Sequence, residues 1–462
     1  MPTSKLGAGT VAGAAYGDTG VSLDMAAVQD GLKELYGRAN WLTALYEHDG
    51  LFTRMPKFEG FTGSYYPVVT QYAANARRSQ DFAYAQSNTS TFKVEKHLVH
   101  RVRDYAMARL DTESILSSRG DAGAFANYLD VEVSGARYAL RRSLARGVYG
   151  DGSGQIGTCG TVVASDSDSV TAGNQVTITL NPVGDVVNFE VGQQLSFIDT
   201  TAFGNAKSGT NEVIAVDRSL GKIVVTSTGA TDALRPETAD FIFMYGDLAD
   251  TAANFKRISG LDAWVPATAP VAGDSFFGVD RSVDVTRMAG HRFTGSTTDV
   301  YHAFVSASEV LGREGGKPDH IFCDYATYTS LMKEASSGGG HFTNASGANA
   351  SGAGMTQPTN KGLRVDIGMG KTLELGFTNI VIHLPSGPVS VVPDPDCPAN
   401  TAYMLKLSDW ELASLGMAPQ ILDLDGQSFL RISDRDAMEI RLGFFGNVIC
   451  KNAGNQSRID FS

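Results

Sequence analysis

The stretch from Asp121 to Tyr149 constrains this chain most. Phe125, Leu129, Val133, Ala136, Leu140 and Leu144 recur every three or four positions and predict one long amphipathic helix. At the α-helical rise it is about 40 Å long. Its C-terminal half carries Arg137, Arg141, Arg142 and Arg146, which suits the negative end of the helix dipole. Gly147 and Gly150 can end it. These arginines are candidates for an inner face turned to nucleic acid or for salt bridges with acidic neighbours. The dipole-and-salt-bridge reading requires less.

Upstream, residues 66–106 read as a long hairpin. Tyr66-Pro-Val-Val-Thr70 is a strand, and Phe92 to Arg103 alternates, with Phe92, Val94, Leu98 and Val102 on one face together with Lys96 and His100. A polar stretch through Arg77, Arg78 and Asp81 to Ser90 joins them. An isolated two-stranded hairpin is marginal in water, so a projecting one needs a neighbour. An ordinary hairpin within a larger sheet has the same periodicity. Residues 1–65 hold one short predicted helix, Ser22 to Leu35, among Gly-rich and aromatic segments. Such an arm lies on another surface or wraps its own domain.

Composition changes at Gly150-Asp-Gly-Ser-Gly154. From 155 to 247 the chain reads as all β, with strands at Val176–Leu180, Gln194–Ile198, Val213–Val216, Lys222–Thr226 and Phe241–Met244. Short strands at this spacing predict a small sandwich or barrel inserted into a larger domain. The remainder mixes helices and strands. Asp299 to Arg313 is a helix with Val300, Phe304, Ala307 and Leu311 on one side, and a second follows at Ala326–Ala335. Ser336 to Lys361 is Gly/Ser/Asn-rich and reads as a long loop. Strands are expected at Pro318–Cys323, Ile380–His383, Val389–Val392, Ala402–Leu407 and Ala437–Leu442. The fold class is α+β.

No arrangement of residues makes a convincing active site. Gly368-Met-Gly-Lys-Thr372 imitates a phosphate-binding loop, but the first glycine such a loop needs is Val365. His97 and His100 point to opposite faces of a strand and make a poor metal pair. Asp423-Leu-Asp425-Gly426 and Asp434-Arg-Asp436 lack the ligand series of a calcium loop. Cys159, Cys323, Cys397 and Cys450 are scattered and read as free, mostly buried thiols. No catalytic residue, metal site or cofactor is expected. Met1–Tyr16 lacks a basic start with an apolar core, and no apolar run is long enough to span a bilayer, so neither signal peptide nor anchor is expected. A net charge of −12 argues against a chain whose main task is gripping phosphates.

The order of parts (apolar arm, long hairpin, long helix, mixed α/β remainder) resembles the Hong Kong 97-type fold of tailed-phage major capsid proteins. Gly315-Gly-Lys-Pro-Asp-His-Ile-Phe-Cys-Asp-Tyr325 looks like that family's axial region, as does Val389-Ser-Val-Val-Pro-Asp-Pro-Asp-Cys-Pro398 followed by Ala402-Tyr-Met-Leu-Lys-Leu407. Ala437-Met-Glu-Ile-Arg-Leu-Gly-Phe-Phe-Gly-Asn447 resembles its ending. The resemblance covers most of the chain and is one of architecture.

It implies an N-terminal arm at 1–65, an E-loop at 66–106 and a peripheral (P) domain at 107–154 containing the spine helix. The inserted β domain at 155–247 would follow, then a P-domain continuation at 248–300, an axial (A) domain at 301–436 and a C-terminal return strand and tail at 437–462. It further implies a structural subunit that assembles as hexamers and pentamers into an icosahedral shell around double-stranded DNA, held without sequence-specific binding. The implied partners are copies of itself, a separate scaffolding protein, a portal and, where one binds, a decoration protein, with no membrane. The implied location is the virion, assembled in the bacterial cytoplasm. E-loop contacts between subunits would fall on Phe92, Val94, Lys96, Leu98 and Val102. Some members crosslink an E-loop lysine to an asparagine of a neighbour, which makes Lys93, Lys96, Asn447 and Asn452 candidates; the same lysines also serve simply to keep a strand edge soluble. A β-rich carbohydrate-binding or adhesion protein, with 155–247 as its binding module, is the rival expectation.

Overall fold

The computed structural model describes residues 50–112 except 76, then 122–164, 174–199, 206–227, 236–247, 256–296, 299–337, 363–365, 380–422, 430–432 and 436–461. The helix expected at 22–35, most of the loop at 336–361, the imitation phosphate loop at 368–372 and the acids at 423, 425 and 434 lie outside the described residues.

Tyr65–Ala73 pairs antiparallel with Lys93–His100, Tyr65 opposite His100 and Val69 opposite Lys96. These two strands form a sheet of their own, so the hairpin is not part of a larger one. Its tip holds a short helix, Phe82–Ser87, capped by the Asp81 carboxylate, which accepts from the Ala83 and Tyr84 amides at 2.8 and 3.4 Å.

The long helix runs from Ala122 to Tyr149. Leu140, Leu144 and Val148 are buried, with Ala136 packed beside them. These apolar positions press against a sheet whose centre is Ala437–Cys450, a strand longer than the sequence pattern gave it. Along one edge that strand pairs with Val102–Asp111 from Gly446 to Ala437. Along the other it pairs with Trp410–Ser414, Gln420–Ile421 and Leu430–Arg431. Gly260 has a steric reason to be glycine: a Cβ there would lie against the Val148 and Gly147 carbonyls that end the helix.

The inserted segment is a closed barrel of six strands. In spatial order they are Gln155–Ala164, Asn174–Leu180, Lys222–Ser227, Ala206–Asp217, Gln194–Ile198 and Phe241–Met244, the last pairing back to the first. Alternate residues fill it: Val176, Ile178 and Leu180, then Leu195 and Phe197, Ile223 and Val225, with Phe189 from the connecting turn. The first strand, rich in Gly and Thr, had no apolar run to betray it.

A second large sheet has seven strands. Their order is His291–Gly295, Ser457–Phe461, Thr401–Leu405, His320–Cys323, Gly387–Pro393, Ile380–Leu384 and Leu363–Val365. Helix Val300–Arg313 covers it with Val300, Phe304, Ala307 and Leu311, all buried. Helix Tyr325–Ser337 adds Leu331. The sheets do not respect the expected boundaries at 300 and 437. Trp410–Ser414 joins the sheet of the long helix, whereas His291–Gly295 and Ser457–Phe461 join the seven-stranded one. Long-range strand pairing decides this, and local periodicity carries no record of it.

All four cysteines are unpaired and buried.

Candidate functional site

Alternation along the hairpin sorts its residues into two faces. Val68, Thr70, His97 and Val99 turn inward and are buried. Tyr65, Val69, Val94 and Leu98 turn outward, 59, 61, 43 and 41% exposed, with Phe92 beside them at 62%. Lys96 lies among them, opposite Val69. Phe82 and Tyr84 on the tip helix are exposed as well. The more apolar face of this hairpin is therefore the one turned away from the subunit's own core. A row of large apolar side chains left in water is unusual for a surface that meets only solvent.

Val102 does not belong to this row. The chain leaves the hairpin at Arg101 and enters the main sheet, where even-numbered residues that faced outward now face the long helix. Val102, Ala108 and Leu110 are buried there, which removes Val102 as a surface contact.

The arginines of the long helix divide between two tasks. Arg137 is exposed, and Arg141 approaches the Thr53 hydroxyl at 3.5 Å. Arg142 forms an ion pair with Glu190 of the barrel, and Glu190 also accepts from Arg218 at 2.8 Å. Burial pushes the Glu190 carboxyl up, but the two guanidinium partners outweigh it and hold it below the usual range. Arg146 donates to the Asn188 and Val187 carbonyls at 2.9 and 3.0 Å. Burial, with Arg142 alongside, brings its pKa down to about 9. Arg142 and Arg146 thus fasten the barrel to the helix.

Asn447 is not free to react. It is fully buried; its Oδ1 accepts from the Ser259 and Val448 amides at 2.9 and 2.8 Å, and its Nδ2 donates to the His100 carbonyl at 2.8 Å. That network holds the hairpin's last strand to the main sheet, and a crosslink through Asn447 would break it. Lys93, Lys96 and Asn452 are exposed.

A cleft of about 470 Å³ opens where the helix end, the barrel and the 394–399 loop meet, lined by Arg146, Tyr149, Asp185, Asp262, Asp394 and Asp396 among others. Two of its acids, Asp262 and Asp394, have structural duties. Asp262 accepts from Tyr403 and Arg458, and Asp394 accepts from Tyr149. Among the described residues no group of His, Cys, Asp or Glu is arranged to hold a metal ion, and no helix is long and apolar enough to cross a membrane.

No protein-family model and no curated protein matches this chain. Solved structures do. The cyanophage A-1(L) capsid asymmetric unit is 12% identical over 88% of this chain and 90% of that one, with a TM-score of 0.45. The capsid of a native GTA particle is 9% identical over 96% of this chain and all of that one (100%), TM-score 0.40. The capsid of cyanophage P-SCSP1u is 8% identical over 93 and 94% of the two chains, TM-score 0.38. All three are capsids. At such identities no side-chain role passes from them to this chain.

The sequence reading missed the aromatic cluster at the hairpin root, Trp264, Phe276 and Phe277, where the Leu98 amide donates to the Phe277 carbonyl at 3.0 Å. The adjacent pair Phe276-Phe277, followed by a glycine, was its only sequence signal.

Proposed function

We propose that this chain is the major capsid subunit of a tailed bacteriophage, assembling as hexamers and pentamers into an icosahedral shell around double-stranded DNA. The observation that carries this reading is the hairpin, a sheet of its own whose inner face packs on the subunit and whose apolar outer face is left exposed. Nothing within the described residues closes over Phe92, Val94 and Leu98, although the opposite face of the hairpin is packed against the core. Another copy of the chain supplies the missing surface. Burial at roughly 25 cal/mol per Å² makes each contact modest, and repetition through a closed shell makes the sum large. The order of parts described above (hairpin, long helix, inserted barrel, then two sheets) supports the same reading.

On this reading the barrel is an accessory module on the shell, tied to the long helix by Arg142 and Arg146. A separate scaffolding protein and a portal act in assembly, and the subunit's work is geometric, with no catalysis. Lys93 or Lys96 with Asn452 remains the pairing for any crosslink. The carbohydrate-binding alternative gains little from the barrel, whose core is filled with aliphatic and phenyl side chains and whose exposed large apolar residues include a single aromatic, Tyr245, among those described.

Negative-stain electron microscopy of the purified protein, expressed with and without its neighbouring scaffold gene, tests the proposal. Closed shells, or rings of five and six subunits, are expected. A small monodisperse species in both preparations would overturn it.

A further inference from the structure

His97 stands out among the described histidines. It is 1% exposed, sits on the hairpin's inward face, and is enclosed by rings: Trp264 at 5.4 Å and Phe276 at 6.1 Å between centroids. Its Nδ1 lies 3.3 Å from the Phe276 carbonyl, which can only accept, so Nδ1 carries the proton of the neutral ring. A second proton would have to enter an aromatic enclosure already holding a buried cation. Arg281 sits over the Phe276 ring at 4.2 Å, donates to the Ala263 carbonyl at 2.6 Å and is 5% exposed.

The charged groups on the surrounding elements are committed elsewhere. Strand Tyr65–Ala73, which pairs with His97 through Val68, contains no charged residue. Asp274 is bound to Arg281 at 3.0 Å. Asp280 accepts from the Ser282 and Gly273 amides, and Asp262 from Tyr403 and Arg458. Asp284 caps its own short helix through the Arg287 amide, and Arg287 donates to the Tyr72 carbonyl at 2.7 Å. Lys93, Glu95 and Lys96 on His97's own strand are exposed. The formal charge acting on the ring is Arg281's, and it repels.

This enclosure is also where the hairpin is attached. Leu98 donates to Phe277 from the next position, and His100, three residues on, packs edge-on against Phe277 at 4.9 Å. Burial in this site, together with Arg281, holds His97 below its ordinary 6.5 despite the Phe276 carbonyl, and burial lowers His100 too.

We infer that His97 is a pH-sensitive latch: neutral, it locks the root of the hairpin into the Trp264–Phe276–Phe277 enclosure, and on protonation it releases the hairpin to swing. The direction follows from linkage. A released hairpin exposes His97 to water, where it takes up a proton near 6.5, whereas the docked form resists it. Docking is therefore at full strength above that value and weakens as the pH falls from it toward the docked pKa. The inference rests on the hairpin root in one subunit and holds whatever surface the hairpin's outer face meets.

Hydrogen exchange on the unassembled full-length chain, corrected for the intrinsic pH dependence of exchange, tests it. Between about pH 7.5 and about pH 5.5, peptides covering 93–100 and 275–280 should lose protection, by roughly tenfold at most for this one titration, while 437–450 should be unchanged. Because burial lowers His100 as well, the comparison is made in a His100→Gln background; there His97→Phe, which fills the enclosure without titrating, should stay protected at both pH values, and His97→Gln is the second non-titrating variant. Equal protection of the wild type at both pH values would overturn the inference, as would pH-dependent loss persisting in a variant that is protected at the higher pH. If neither variant docks at the higher pH, selective carbon-13 labelling of histidine in the wild type decides. Loss of protection must follow the His97 titration, and a mismatch of the two midpoints sinks the latch.

Discussion

The Tyr149 hydroxyl donates to the Asp394 carboxylate at 2.7 Å, joining the last residue of the long helix to a loop 245 positions away. The same carboxylate accepts from the Leu51 amide at 2.7 Å and the Asp396 amide at 3.0 Å. One buried side chain thus ties the start of the described chain, the end of the helix and the loop that follows an interior strand of the seven-stranded sheet. Burial raises the Tyr149 phenol well above its usual range, and Asp394 adds to the effect, so the donor stays protonated.

Replacing Asp394 with Ala should therefore strand several donors at once. Each unsatisfied buried group costs about 1–3 kcal/mol, so a total loss of about 3 kcal/mol is expected in urea unfolding. Tyr149→Phe, which leaves the carboxylate its two amides, should cost about 1 kcal/mol. If Asp394→Ala proves no worse than Tyr149→Phe, the tie is not what holds these three segments together.

Charges on the two faces of the hairpin should have opposite consequences. Val94→Glu and Leu98→Glu lie on the exposed face and should change subunit stability by less than about 0.5 kcal/mol while abolishing self-association. Val99→Ala, fully buried, should cost about 1–3 kcal/mol in the subunit itself. Thermal denaturation paired with electron microscopy separates the two effects. Normal shells from Leu98→Glu would contradict the proposed contact.

Gly260→Ala probes the close approach at the helix end. A methyl group there meets the Val148 and Gly147 carbonyls, which are backbone and cannot rotate away. The cost should be about 3 kcal/mol, visible as a lowered denaturation midpoint. Gly246→Ala, with open space around its Cβ but a φ of +91°, should cost about 1 kcal/mol by backbone strain alone. A Gly260→Ala chain as stable as the wild type would mean that the helix end and the 260 turn are not in contact.

Asp185 gives a pH signature in the cleft. Burial raises its carboxyl from 3.8 to about 7, against the opposing pull of Arg146. A raised carboxyl favours the folded state at low pH and loses that contribution as the pH rises through about 7, because the folded chain must then hold a poorly solvated charge. Asp185→Asn should therefore stabilise the protein by roughly 1–3 kcal/mol near pH 8 and give no such gain near pH 4. Equal effects at both pH values would show that Asp185 is solvated like an ordinary surface acid.

Much of the fold was legible because side-chain periods of 3.6 and 2 are local properties. The stripe ending in Leu140 and Leu144 marked the long helix, Val300 to Leu311 marked a second, and Val176–Leu180 with its neighbours marked a small sandwich or barrel. The alternation of Phe92, Val94 and Leu98 likewise marked one face of a strand. What that pattern omits is direction. Periodicity separates two faces, but which of them meets the core depends on what packs beneath the strand. Here Trp264 and Phe276, more than 160 residues away, draw His97 inward and leave the apolar row in water.

By itself the sequence determined most of the elements, their order and the acidic composition. Only the tertiary structure decided that the hairpin forms a sheet of its own, that Val102 is core, that Asn447 is a buried brace and that Arg142 and Arg146 hold the barrel. The reason is physical. Helices and strand faces are written in neighbouring residues, whereas strand partners and buried polar contacts are chosen by groups hundreds of positions apart whose desolvation must be satisfied together.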